Sequence, residues 1–115
     1  FNLEKFKKWM EGVRGRGLHE EVHILAGITP LKSAGMARYM QSKVPGMDVP
    51  DELVKRISGV AKEKQAEEGI KLAVETIEQL KEVEGVRGFH IMAIEWEQKV
   101  PEIVEKAGLL PRPQV

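Results

Sequence analysis

A chain of 115 residues holds one domain at most, and its eighteen basic side chains are balanced by eighteen acidic ones. That balance leaves no net field to gather nucleic acid or an anionic membrane, which argues against both as partners. No cysteine is present, which excludes disulfides, thiolate metal sites and cysteine nucleophiles and suits a cytoplasmic setting. No apolar run approaches the roughly 20 residues of a membrane span, and the amino-terminal FNLEKFKKWM lacks the uninterrupted apolar core of a signal peptide. Because it begins at Phe1 rather than at a methionine, the chain reads as a processed or truncated piece of something longer.

Asn2 is placed to cap a first helix whose apolar positions Leu3, Phe6, Trp9, Met10 and Val13 follow the three-and-four spacing of one buried face. Gly15 and Gly17 stop it. Arg14 and Arg16 at its end suit the carbonyl dipole of a solvated helix terminus better than an anion site, since no Gly-rich phosphate loop accompanies them. VHILAGITPL, from Val22 to Leu31, is then a short apolar run rich in β-branched residues and reads as a strand. His23 here and His90 in the later FHIMAI run invite a zinc hypothesis. No third ligand stands at diagnostic spacing, however, and strand histidines ordinarily hydrogen bond to a neighbour. Gly27, Thr29 and Pro30 fall where the strand must end, so Thr29 is a candidate polar contact or a simple turn hydroxyl.

Ser33 reads as the cap of a helix carrying Met36, Ala37, Tyr39 and Met40, fading at Val44 to Gly46. Met36 and Met40, one turn apart, form either an adaptable apolar wall or ordinary core. Pro50 opens a further helix with Leu53, Val54 and Ile57 inward and Gly59 as its break. The longest helix is expected from about Lys62 to Glu84, with a buried stripe of Ala66, Ile70, Ala73, Val74, Ile77 and Leu80 under a solvated charged face. Gly85 and Gly88 bracket the turn into Phe89 to Ile94, a strand apolar on both faces except at His90 and therefore expected to need cover on both sides. Glu95 and Trp96 stand at its carboxyl end, where α/β sheets and barrels bind ligands. A last helix puts Val100, Ile103 and Val104 inward and stops at Gly108, with Pro111 and Pro113 holding the tail extended. The order helix, strand, helices, strand, helix spells a parallel α/β arrangement.

The succession of AGITPL after the first strand, Val49 and Pro50 before a helix, GVRGFHIMAIEW, and a final GLLPRP resembles the last third of methylenetetrahydrofolate reductases, in order and spacing over essentially the whole chain. The resemblance implies the C-terminal portion of a (β/α)8 TIM barrel. VHILAGI would be the seventh strand and GFHIMAI the eighth, so that residues 1–115 form one fragment of a barrel domain with about two parallel strands plus covering helices. A barrel of eight units usually takes about 250 residues. The family carries a flavin, FAD or FMN, and reduces the methylene group of methylenetetrahydrofolate to a methyl group. Its electrons come from NAD(P)H or, in some relatives, through an electron-transfer partner subunit.

The family's catalytic glutamate and most of its flavin contacts lie outside the stretch that is resembled. The chain alone is therefore expected to be inactive, to hold no tightly bound cofactor and to contribute one wall of the folate pocket. The family places a glutamine and a phenylalanine on the helix after strand seven and an arginine beyond strand eight. By spacing these fall on Met36, on Met40 with Tyr39 as a one-residue alternative, and on Trp96; Glu95 occupies the place of an asparagine. All depart from the family pattern. An apolar wall is kept, Trp96 is expected to stack on a pterin or aminobenzoate ring, and Glu95 takes over polar recognition. With the remainder of the barrel missing, strand edges and core face are expected to be exposed and the chain to self-associate. The competing reading is a non-catalytic α/β interaction module that uses the open edge and the Trp96 surface to bind a partner protein.

Overall fold

The computed structural model describes residues 1–111. Asn2, in extended conformation, accepts the Lys5 N–H at 3.1 Å and opens helix α1 (Leu3–Gly15), after which Gly17 takes a φ of 69°. A short turn of helix, α2 (Leu18–Glu21), follows without any sequence signal having announced it, and leads into strand β1 (Ile24–Ile28). Ser33 Oγ accepts the Met36 N–H at 3.1 Å and caps α3 (Ala34–Lys43). Pro50 precedes α4 (Asp51–Ser58), and a 3-10 turn (Lys62–Lys64) runs into the long helix α5 (Gln65–Lys81). Strand β2 (Val86–Ile91), a second 3-10 turn (Glu97–Lys99) and α6 (Val100–Lys106) are the last elements among the described residues.

The two strands pair in parallel, Leu25 opposite Gly88, Ala26 opposite Phe89, Gly27 opposite His90 and Ile28 opposite Ile91. The second strand thus begins and ends three residues earlier than its apolar run suggests. The reason is its partner: β1 ends at Ile28, whose carbonyl takes a last hydrogen bond from the Met92 N–H at 2.8 Å, and beyond that point nothing remains to pair with. Nor is the sheet covered on both faces. Ala26 and Ile28 are buried against α5 and α6, whereas Leu25 and Met92 on the other face are 58% and 41% exposed. On that open face a Cβ on Gly88 would lie 3.1 Å from Leu25 Cδ2 and one on Gly27 3.1 Å from Met92 Cε, so each glycine makes room for the large side chain across the ladder. His23 precedes the strand and both histidines are exposed, not buried. Among the described residues no three histidine, aspartate or glutamate side chains come together as a metal site. Trp9 is also a correction, 55% exposed and tilted against Phe6 at 5.9 Å between ring centres. Pro111 lies in a bend, and Pro113 lies outside the described residues.

Two apolar clusters share α5. One holds Ala26, Ile28, Ile70, Ile77 and Ile103 between sheet, α5 and α6; the other holds Leu31, Met40, Val49, Ile57 and Leu72 between α3, α4 and α5. Ile77 and Ile103 are completely inaccessible, and burying a side chain of that size contributes roughly 1.5–3 kcal/mol relative to exposure. Arg56 of α4 reaches across to two α5 carboxylates, Glu68 at 2.6 Å and Glu75, and the guanidinium holds the Glu75 carboxyl below the usual carboxylate range. At the far end of α5, Lys81 Nζ donates to the Ala107 carbonyl and ties down α6. No helix among the described residues is long and apolar enough to cross a membrane.

Of the glycines, Gly69, in the first half of α5, leaves the least room for a side chain. A Cβ built there would stand 1.6 Å from the Leu31 carbonyl oxygen, so the α5 backbone rests directly on the loop after β1. One turn earlier, Gln65 Oε1 accepts the Ala34 N–H at 3.1 Å. Gly69→Ala therefore has to drive the two backbones apart, and an unfolding free energy lower by about 3 kcal/mol is expected in urea titration; an unchanged midpoint would show that the contact does not hold the loop.

Candidate functional site

The loops that leave the carboxyl ends of β1 and β2 converge on one cleft of about 400 Å³. Met36, Tyr39, Met40 and Val44 of the α3 segment form one wall, Met47 closes its far end, and Ile94 and Glu95 arrive from beyond β2. Lys32 stands in the loop just before the Ser33 cap of α3, on the same rim. The lining is mostly apolar, and the three methionines give it deformable walls suited to a flat ring. Tyr39 is 61% exposed and offers its ring to the opening, while Met40 is buried behind it.

Four of the six expected site residues, Met36, Tyr39, Met40 and Glu95, are brought together here. Thr29 is half-buried in the loop after β1 and does not line the cleft. Trp96 requires correction: it is 5% exposed and packed with Ala26, Ile28 and Ile103 in the sheet-side core, where no ligand ring reaches its face. The cause is the backbone just before it. Glu95 adopts a φ of 51°, and the Trp96 N–H closes a turn on the Ala93 carbonyl at 3.2 Å. A left-handed residue in the second central position of a tight turn reverses the chain, which sends the Trp96 indole inward while Glu95 stays exposed at the cleft.

Glu95 is the one non-glycine residue among those described with positive φ, a conformation that disfavours side chains with a Cβ by roughly 1–2 kcal/mol. Its strain is thus held in place by the Trp96 anchor. Lys32, Val44, Met47 and Ile94 also line the cleft, though none of them was singled out from the sequence. Lys32 was legible only as a charge beside a cap, and Met47 sits in a loop whose path over α3 depends on tertiary packing.

The first-turn amides of α3 do not form an open cradle for a phosphate. The Ala34 N–H is engaged by Gln65 and the Met36 N–H by Ser33. The cleft accordingly presents an apolar wall rather than a phosphate cradle.

Replacing Glu95 by glycine removes the Cβ penalty and is expected to raise stability by roughly 0.5 kcal/mol net of the added chain entropy, whereas Glu95→Val should lower it by about 1–2 kcal/mol. Thermal melts of the two variants against the parent chain check this; a glycine variant less stable than the parent would contradict the left-handed assignment.

The model of the family described as methylenetetrahydrofolate reductase matches residues 1–108. No curated protein and no solved structure matches the chain.

Proposed function

The chain belongs to the methylenetetrahydrofolate reductase family, and on that premise we propose that its methionine-lined cleft is one wall of a pocket for a folate-type one-carbon pterin. The parent activity is flavin-dependent reduction of a methylene to a methyl group, with NAD(P)H or a partner subunit as electron source. Family membership supports an oxidoreductase of folate chemistry. The observation that carries the pocket is the meeting of Met36, Tyr39 and Met40 of α3, the helix that follows β1, with Glu95 of the loop after β2, at one end of the parallel pair.

In this reading the protein supplies orientation and exclusion of water, and the flavin supplies the hydride chemistry when bound. Met36 and Met40 press on one face of the pterin or aminobenzoate ring, with Tyr39 at the outer end. Glu95 accepts hydrogen bonds from ring N–H groups, the role left open by loss of the family's asparagine. No catalytic group is assigned to this chain, which is proposed to be inactive alone. The exposed Leu25 and Met92 face, together with the outer edges of both strands, is where the remainder of a (β/α)8 barrel packs, and a cytoplasmic setting goes with this arrangement. In isolation the same face favours self-association.

The test is made on the protein that carries this chain. A flavin absorption band is expected, and Glu95→Gln should raise the KM for methylenetetrahydrofolate about tenfold, the effect of weakening a charge-assisted hydrogen bond. An unchanged KM would remove Glu95 from the pocket. A protein without flavin absorption that uses the open sheet face for a partner would favour the interaction-module reading instead.

A further inference from the structure

Lys32 and Glu95 are the two formally charged residues on an otherwise apolar cleft, one on each strand-to-helix loop. Neither takes part in any ion pair among the described residues. Each is also held by its backbone rather than left on a free loop. Leu31, immediately before Lys32, lies against Gly69, and Ala34, two residues after it, donates to Gln65 of the same helix. Glu95 is fixed between the turn at Ala93 and the buried Trp96. A surface lysine on a mobile loop loses much of its attraction to side-chain and loop entropy, but one whose flanking backbone is clamped has less freedom to lose on binding.

We infer that Lys32 is the specificity-determining cation of this cleft and receives a carboxylate that the ligand carries away from its ring. The inference rests on the pterin-pocket reading and adds a polarity to it. The ring's N–H donors face Glu95, the apolar body lies along Met36 and Met40, and the acidic tail ends at Lys32. The matching chemical class is a flat N–H-bearing heteroaromatic ring joined through an apolar linker to a carboxylate. Charge complementarity sets the direction, because the reverse placement would bring a carboxylate to Glu95 and ring N–H donors to an ammonium that accepts nothing. The Trp96 position, buried here, offers no cation for that tail, and Lys32 supplies one from the opposite loop.

The experiment measures binding of 5-methyltetrahydrofolate and of its glutamate diamide, in which both carboxylates are replaced by neutral carboxamides, to the protein carrying this chain and to its Lys32→Ala and Lys32→Arg variants. The parent is expected to prefer the carboxylate-bearing compound. Lys32→Ala should weaken that compound about tenfold and leave the diamide unchanged, while Lys32→Arg retains the preference. Equal affinities in the parent, or a Lys32→Ala variant that loses affinity for neither compound or for both alike, overturns the Lys32 assignment and leaves the pterin pocket standing. Failure of the parent to bind either compound overturns the assignment and the pocket together.

Discussion

The contact of Gly69 with Leu31 is the constraint on which the rest of the architecture depends. Helix α5 belongs to both apolar clusters, burying Ile70, Ala73 and Ile77 toward the sheet and Leu72 toward α3 and α4. A side chain at position 69 would hold that helix off the loop after β1 and open both clusters at once. Glycine in a helix interior is destabilising by roughly 0.5–1 kcal/mol relative to alanine, a small loss beside the packing it permits. With the loop pressed onto α5, α3 leaves in one direction only, and its methionines come to face the segment beyond β2.

The second loop is shaped by a different balance. Burial of Trp96 stabilises the turn that precedes it, and that turn leaves Glu95 in a backbone conformation it would not choose alone. An aromatic anchor thereby exposes a carboxylate at a defined place. Arg56 plays a comparable but purely structural part between α4 and α5. Its two partners are partly exposed, so water screens the pair and its contribution stays modest.

Much of this was legible in the sequence where the signal is local. Asn2 and Ser33 cap the helices they were expected to cap, Gly17 and Gly108 adopt the positive φ of helix stops, and the alternation of helices with two short apolar runs gave the parallel pair. Met36 and Met40 were marked by their helical spacing, Glu95 by its place at the carboxyl end of the second strand and Tyr39 through the family resemblance, and all four meet in one cleft. What could not be read was set by partners distant in sequence. The limits of β2 follow from where β1 ends. The role of Gly69 depends on a carbonyl in another loop, and the fate of Trp96 on a left-handed glutamate that no propensity would suggest. Trp9, on the expected inward stripe, stays exposed because no element packs over it among the described residues.

The central claim is that the two strand-to-helix loops build one ligand cleft, and the five methionines of the chain allow it to be tested in a single spectrum. Met36, Met40 and Met47 line the cleft, whereas Met10 is fully buried elsewhere and Met92 lies on the open sheet face. In methyl-labelled protein titrated with 5-methyltetrahydrofolate, the Met36, Met40 and Met47 signals should shift together at one saturating concentration while Met10 stays fixed. Shifts confined to Met92, or no shift at the three cleft methionines, would contradict the account.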